Sequence, residues 1–211
     1  MRGKDIQRYR ANWDGLWLID THNGYGEVSP INIDNYKSIK KHLGKFYPEL
    51  KKRRDKGISP YHLRNCAYHA EFEQTKIVWG NIAYNNSFAL LEKGVYLNAP
   101  ANMITSKKLD LKYILGCLNS QIFNYEFKQI GIFLGHAFEW KKQYVEQIHI
   151  PTITSSNYSL VKNIVVLVDE IIVGRQKDNY PSATEDELNQ LIYKLYNLTR
   201  EEIEIIETDD C

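Results

Sequence analysis

Two short clusters carry residue types that could do chemistry. Glu139-Trp140-Lys141 has the E-x-K spacing of a metal-dependent nuclease, in which carboxylates hold Mg²⁺ and the lysine helps to activate water. Asp110 is the nearest upstream carboxylate to complete such a set, but it also stands where a helix needs an N-cap. His62, Cys66 and His69, at spacings of four and three, would face one another on a helix as Zn²⁺ ligands, with Glu73 as a fourth. A three-residue E-x-K match arises easily by chance, and a cysteine between two histidines more often packs than ligates. Other signatures are missing. The chain has no G-x-x-x-x-G-K-[ST] loop, no G-x-S-x-G elbow, and neither a glycine-rich S-adenosylmethionine loop nor an Asn/Asp-Pro-Pro-Tyr-type motif.

A distributed set of basic, aromatic and amide side chains remains. Lys4, Arg8 and Arg10 open the chain, Lys51, Lys52, Arg53, Arg54 and Lys56 end a helix, and Arg64 follows Tyr61-His62-Leu63. Arginine presents a planar fork to guanine or phosphate and lysine a point charge, while asparagine can pair with adenine. Asn23, Asn32, Asn35, Asn81, Asn85 and Asn86 stand in two loop regions. Taken alone, the 51–56 run also reads as the solvated end of a helix, favoured there by the macrodipole.

Positioning these residues falls to a mixed set of elements. Trp17-Leu18-Ile19 predicts a short strand, and 21–30 a loop. Asp34 predicts a helix cap ahead of Tyr36, Ile39, Leu43 and Phe46, with a restart at Pro48 and a C-cap at Gly57. Strands are predicted at 76–79, 88–91, 95–97 and 102–105. Asp110 then opens a helix running to about Gly131, and 145–151 reads as a closing strand. Beyond about residue 155 the chain turns helical, over 160–173 and again after a turn at Asn179–Ser182, with capping-box spacings at Thr184-x-x-Glu187 and Thr199-x-x-Glu202. The expected fold is α+β, with a body over residues 1–154 and a helical extension over 155–211 packed on or beside it.

Composition sets the outer limits. The 211 residues are 43% hydrophobic, enough for a real core and against disorder. No apolar run is long enough to span a membrane, and no leader of the secretory kind opens the chain. Three well-separated cysteines, Cys66, Cys117 and Cys211, fit reduced thiols and a cytoplasmic setting. The net charge of +1 hides a split, with residues 1–150 at +8 and residues 151–211 at −7. That asymmetry predicts a nucleic-acid surface beside an acidic element, the acidic helices facing away from the nucleic acid.

The order of short motifs is the most specific feature. Arg2-Gly3-Lys4-Asp5-Ile6-x-x-Tyr9 resembles the opening of the TaqI-like C-terminal specificity domain, the target-recognition part of adenine-specific DNA methyltransferases and type IIG restriction–modification enzymes. Six further segments follow in that family's order. They are Tyr47-Pro48-x-Leu50-Lys51 with Arg53 and Arg54, Tyr61-His62-Leu63-Arg64, Lys76-Ile77-Val78, Leu115-Gly116-Cys117-Leu118-Asn119-Ser120, Tyr144 to Pro151, and the acidic Leu195 to Ile203. Pro60 stands where the family commonly has tryptophan, and His149 where a first proline is common.

The resemblance implies a module that docks on double-stranded DNA and reads a short sequence, with no chemistry and no cofactor of its own. Methyl transfer using S-adenosylmethionine, and any Mg²⁺-dependent cleavage, would lie in an N-terminal methyltransferase region. Met1 directly before the family's opening then reads as the start of an excised segment or split subunit. The resemblance further implies phosphate contacts from Lys4, Arg8, Arg10, the 51–56 run and Arg64. Base readers must vary with the target, so they are expected in the stretches that match least, 20–33, 79–94 and 128–142. Asn119 and Ser120 are expected to hold a helix end. The alternatives are a fragment of a type I specificity subunit and the nuclease centred on Glu139 and Lys141.

Overall fold

The computed structural model describes residues 1–177 and 182–208. Asn179, Tyr180 and Pro181 of the expected turn, and Cys211, lie outside the described residues. The chain forms two compact units, Met1–Asp14 with Thr75–Cys211, and Gly15–Gln74. The architecture is α+β with a helical C-terminal region.

The first unit opens on a tight turn over Gly3–Asp5, closed by Asp5 accepting from the Arg2 backbone and guanidinium. Strands β1 (Ile6–Gln7) and β2 (Arg10–Ala11) then pair antiparallel. Tyr9 between them adopts φ +60° with its ring buried, and its N–H donates to the Phe88 carbonyl. The opening motif is therefore a small ribbon laid on the body of the domain.

The second unit carries α1 (Lys37–Gly44) and α2 (Tyr47–Lys52), the latter with Pro48 in its first turn as expected. Three local expectations fail here. Trp17-Leu18-Ile19 is not a strand, and Trp17 is 86% exposed. Asp34 does not cap α1 but lies in a 3₁₀ turn capped by Asn32, one turn too early. Gly57 is not the C-cap, because the backbone turns extended at Arg53. A Cβ on Gly57 would fall 2.3 Å from Asn23 Oδ1 and 2.6 Å from the Leu63 carbonyl, so glycine serves close packing there. Within this unit Asn23 Oδ1 accepts from Ile58 N–H, Thr21 Oγ1 donates to the Tyr61 carbonyl, and Leu63 N–H donates to the Thr21 carbonyl. These bonds tie the 20–33 loop to the 57–64 segment.

Back in the first unit, β3 (Lys76–Gly80) is the centre of a three-stranded antiparallel sheet, followed in sequence by the short β4 (Ile82–Ala83), then by β5 (Phe88–Leu91) and β6 (Ala101–Ile104) on its two sides. Residues 95–97 form no strand; instead Asn98 N–H donates to the Met1 carbonyl. Asp110 caps α3 (Leu111–Leu118) by accepting from Lys112 N–H at 2.7 Å. The helix expected to run to Gly131 breaks at Asn119-Ser120, where the Ser120 hydroxyl donates to the Cys117 carbonyl and competes with the helix's own backbone bonds. The Ser120 hydroxyl accepts from Phe123 N–H and so starts α4 (Gln121–Ile130). Asn119 accepts from Phe88 N–H at 3.0 Å and donates to Phe88 O at 2.9 Å, standing in for a strand at the edge of β5. The expectation that this pair holds a helix end is met.

Strands β7 (Ile132–Phe133) and β8 (Phe138–Glu139) form a hairpin, and α5 (Lys142–Val145) replaces the first part of the strand expected over 145–151. That segment is held by tyrosines rather than a ladder: Tyr113 OH donates to the Pro151 carbonyl and Tyr196 OH to the His149 carbonyl. Helices α6 (Tyr158–Gln176), α7 (Ser182–Leu195) and α8 (Arg200–Thr208) complete the unit. Thr184 lies inside α7 rather than at its cap, whereas Thr199 and Glu202 form the reciprocal box expected for α8.

Buried Ile164, Val168 and Ile171 give α6 a core stripe against α3, which is buried from Tyr113 to Leu118. Gly116 permits the close approach, since a Cβ there would lie 3.0 Å from Val168 Cγ2 and 3.2 Å from Ile164 Cγ2. Gly116→Val is expected to cost about 2 kcal/mol by overpacking this contact, read as a lower urea midpoint at unchanged m-value.

Candidate nucleic-acid interface

The basic run belongs to the second unit. Lys51 and Lys52, in the last turn of α2, are exposed, as are Arg54 and Arg64, and none of the four has a hydrogen-bond or ion-pair partner among the described residues. Lys56 is exposed, its ammonium donating to the Arg53 carbonyl at 2.9 Å. Arg53 is different. It is half-buried, and its Nη2 donates to the carbonyls of Pro60 and His62, so it fastens the loop that bears Arg64.

At the ribbon, Lys4 is exposed, but Arg8 and Arg10 are committed within the protein. Arg8 Nε donates to Glu185 Oε2 of α7 at 2.6 Å and its Nη1 to Asn86 Oδ1 at 2.9 Å. Arg10 Nη1 donates to the Arg175 carbonyl, and Arg175 Nη2 reaches Glu185 Oε1 at 2.6 Å. The acidic helix α7 thus lies on part of the basic surface, contrary to the expectation that the acidic tail faces away from it. The cause is direct: a half-buried carboxylate lies between two guanidiniums and bonds to both. Burial pushes the Glu185 carboxyl up, but the Arg8 charge and the hydrogen bonds from both arginines outweigh this and hold it below its ordinary value.

The amides divide in the same way. Asn86 is buried and donates to the carbonyls of Leu118 and Ser120, while its N–H donates to Asn124 Oδ1, so it is a structural staple at the α3–α4 junction. Asn81 is half-buried, its carbonyl accepting from Trp140 N–H and its Oδ1 from Asn102. Asn85 is exposed and accepts from Asn124 Nδ2.

Two of the three stretches expected to hold base readers meet in one place. Strands β4, from 79–94, and β7 and β8, from 128–142, form a single antiparallel sheet in the order β4-β8-β7. Ile82, Glu139 and Ile132 stand in register across it, and Ala83, Phe138 and Phe133 form the next row. Ala83 and Phe138 pack on the core, which turns the Ile82–Glu139–Ile132 row outward. Ile82, Ile132, Tyr84 and Leu134 are all exposed. Trp140 fixes the sheet to the body: its indole N–H donates to the Ala83 carbonyl, its own carbonyl accepts from the Trp79 indole, and its ring stacks on Phe127 at 3.7 Å.

The residues of the catalytic alternatives have partners within the protein. Lys141 pairs with Glu139 at 2.9 Å, and Asp110 is occupied as the cap of α3. His62 is bonded through both ring nitrogens, to Ser59 Oγ and the Ile31 carbonyl, and His69 pairs with Asp20. Residues 61–66 form a turn and coil, not the helix that would align His62, Cys66 and His69. Among the described residues no group of three or more His, Cys, Asp or Glu side chains could hold a metal ion. No helix among the described residues is long and apolar enough to cross a membrane.

An α+β body with a basic helix end, an outward-facing sheet row and motifs in this order defines a recognition domain. The family model for the TaqI-like C-terminal specificity domain matches residues 1–151, and the chain belongs to that family. It is therefore a DNA sequence-specificity module, and a specificity domain is not catalytic by itself. A comparison with curated proteins finds no match.

The elements contributed by α6 and α7, chiefly Arg175, Glu185 and Asn189, were not singled out as site residues from sequence. Arg8 meets Glu185 across 177 positions, and no local pattern announces such a pair.

Proposed function

We propose that the chain reads a short sequence in double-stranded DNA on behalf of an adenine-specific DNA methyltransferase or type IIG restriction–modification enzyme. Methyl transfer, and the S-adenosylmethionine it consumes, belong to an N-terminal methyltransferase region, as does any Mg²⁺-dependent cleavage. The observation that carries the reading is the convergence of 79–94 and 128–142 on one exposed sheet fixed by Trp140. Its outward row supplies apolar side chains for thymine methyl groups and a carboxylate for an exocyclic amine. Lys4, Lys51, Lys52, Arg54, Lys56 and Arg64 supply phosphate contacts that orient the module without reading sequence. Arg53 and Asn86 support these surfaces from behind.

Binding of random-sequence duplex over a salt series tests this. Affinity is expected to fall with a log–log slope of about −0.9 for each phosphate contact, and Lys52→Ala to reduce the slope by about one contact. Selection from a randomised duplex library is expected to yield a consensus that Ile132→Ala alters. Absence of duplex affinity at low salt would overturn the reading.

A further inference from the structure

The ribbon, the Tyr84–Asn86 turn and α7 enclose a polar cleft of about 290 Å³. Its lining includes Arg8, Asn85, Gln121, Glu185 and Asn189. Asn189 is 94% buried, with relative exposure of 6%. Its Oδ1 accepts from the Gln121 N–H at 3.1 Å, which fixes the amide orientation and leaves Nδ2 as the group turned to other partners. That Nδ2 has no hydrogen-bond partner among the described residues and is a donor at the wall of the cleft. Gln121 Oε1 takes the Tyr193 hydroxyl, leaving its own Nε2 without a partner among the described residues. Arg8 uses Nε and Nη1, leaving Nη2.

The cleft therefore offers donors with few acceptors opposite. Its charged lining is balanced, Arg8 and Arg175 against Glu185 and Asp186, with Glu185 held by both arginines. Ser182, in the first turn of the 14-residue α7, also lines it and brings the positive end of that helix dipole. A group rich in acceptors fits the donors left at Asn189, Gln121 and Arg8: a phosphate. We propose that the cleft is a phosphate subsite in which Asn189, Gln121 and Arg8 donate to a phosphodiester of the DNA backbone. The inference rests on the DNA-recognition reading, and it gives α7, beyond the family match over residues 1–151, a part in binding.

Asn189→Asp keeps the acceptor for Gln121 N–H and replaces the free donor by a carboxylate. Gln121→Met removes the second donor without touching that backbone bond, and serves should the first variant not fold. With folding checked by thermal melts, either is expected to weaken duplex binding about tenfold at fixed salt and to reduce the salt slope by about 0.9. Unchanged affinity and slope, with the wild-type chain still binding duplex, overturns the subsite alone; a wild-type chain that binds no duplex overturns the parent reading as well. A parallel titration with inorganic phosphate separates the two sources of the same chemistry. If phosphate stabilises the wild type but not Asn189→Asp while both bind duplex equally, the cleft takes free phosphate and the backbone assignment is wrong.

Discussion

Asn119→Ala is expected to destabilise the first unit by about 3–4 kcal/mol, among the largest losses available to a single side chain here. Asn119 is fully buried and joins helix to sheet through two bonds on one residue, accepting from Phe88 N–H and donating to Phe88 O. Truncation leaves the two backbone groups unequally placed. The Phe88 carbonyl keeps the N–H of Tyr9, but the Phe88 N–H loses the acceptor that Asn119 gave it, in the interior of the domain. An orphaned buried donor costs about 1–3 kcal/mol, and the cavity left by the amide adds to it. Asn119→Asp is expected to rescue little, because it returns the acceptor while burying a charge and losing the donor. Urea unfolding at constant m-value checks both. A loss under about 1 kcal/mol for the alanine variant would show that Phe88 finds another partner.

Glu185→Gln is expected to cost about 3 kcal/mol at neutral pH, since it leaves Arg8 and Arg175 facing one another across a neutral amide. The pH dependence follows from the direction of the Glu185 shift. Its carboxyl titrates below the ordinary value in the folded protein, because Arg8 and Arg175 outweigh burial. The stability it contributes is present above the unfolded value of about 4.3 and is lost as pH falls through the lower folded value. Wild type and Glu185→Gln should therefore converge in melting temperature as the solution is acidified below about pH 4, having been separated at pH 7. A separation that stays constant from neutral to strongly acid solution would remove the carboxylate from the account. The same substitution adds one positive charge to the cleft, so it is expected to tighten duplex binding even as it loosens the fold.

Much of the fold was legible wherever local chemistry and tertiary packing agree. The 76–79 and 88–91 strands, the Asp110 cap, the Thr199–Glu202 box and Pro48 in a first turn are all present. The failures share a cause. Trp17-Leu18-Ile19 has strand composition but lies exposed outside the described sheets, and the 145–151 segment alternates like a strand but is captured by two tyrosine hydroxyls. Asn119 and Ser120 show the same competition resolved the other way, side chains cutting one predicted helix into two.

The candidate site was legible in its parts rather than in its assembly. Exposed cations at 51–56 and Arg64 follow from helix ends and loops, and two of the stretches expected to hold base readers contribute the β4-β8-β7 sheet. Arg8 and Arg10 could not be distinguished from Lys51 or Lys52 by type or spacing. What sets Arg8 apart is a carboxylate 177 positions away on α7, and what sets Arg10 apart is the Arg175 carbonyl at the end of α6. Segment charge did locate the acidic element, and what it could not indicate was that this element turns back onto the ribbon.

The division of the chain has a consequence for where its fastenings close. Residues 15–74 are threaded between the ribbon and β3, so the first unit is interrupted in sequence yet complete in its own core, from Tyr9 through Phe88 to α3, α6 and α7. The inserted segment carries its own tethers, with Arg53 on the carbonyls of Pro60 and His62 and Asn23 on Ile58. The Asn119 junction and the Glu185 triad are likewise built wholly from first-unit residues, so the fastenings named in each unit close within it.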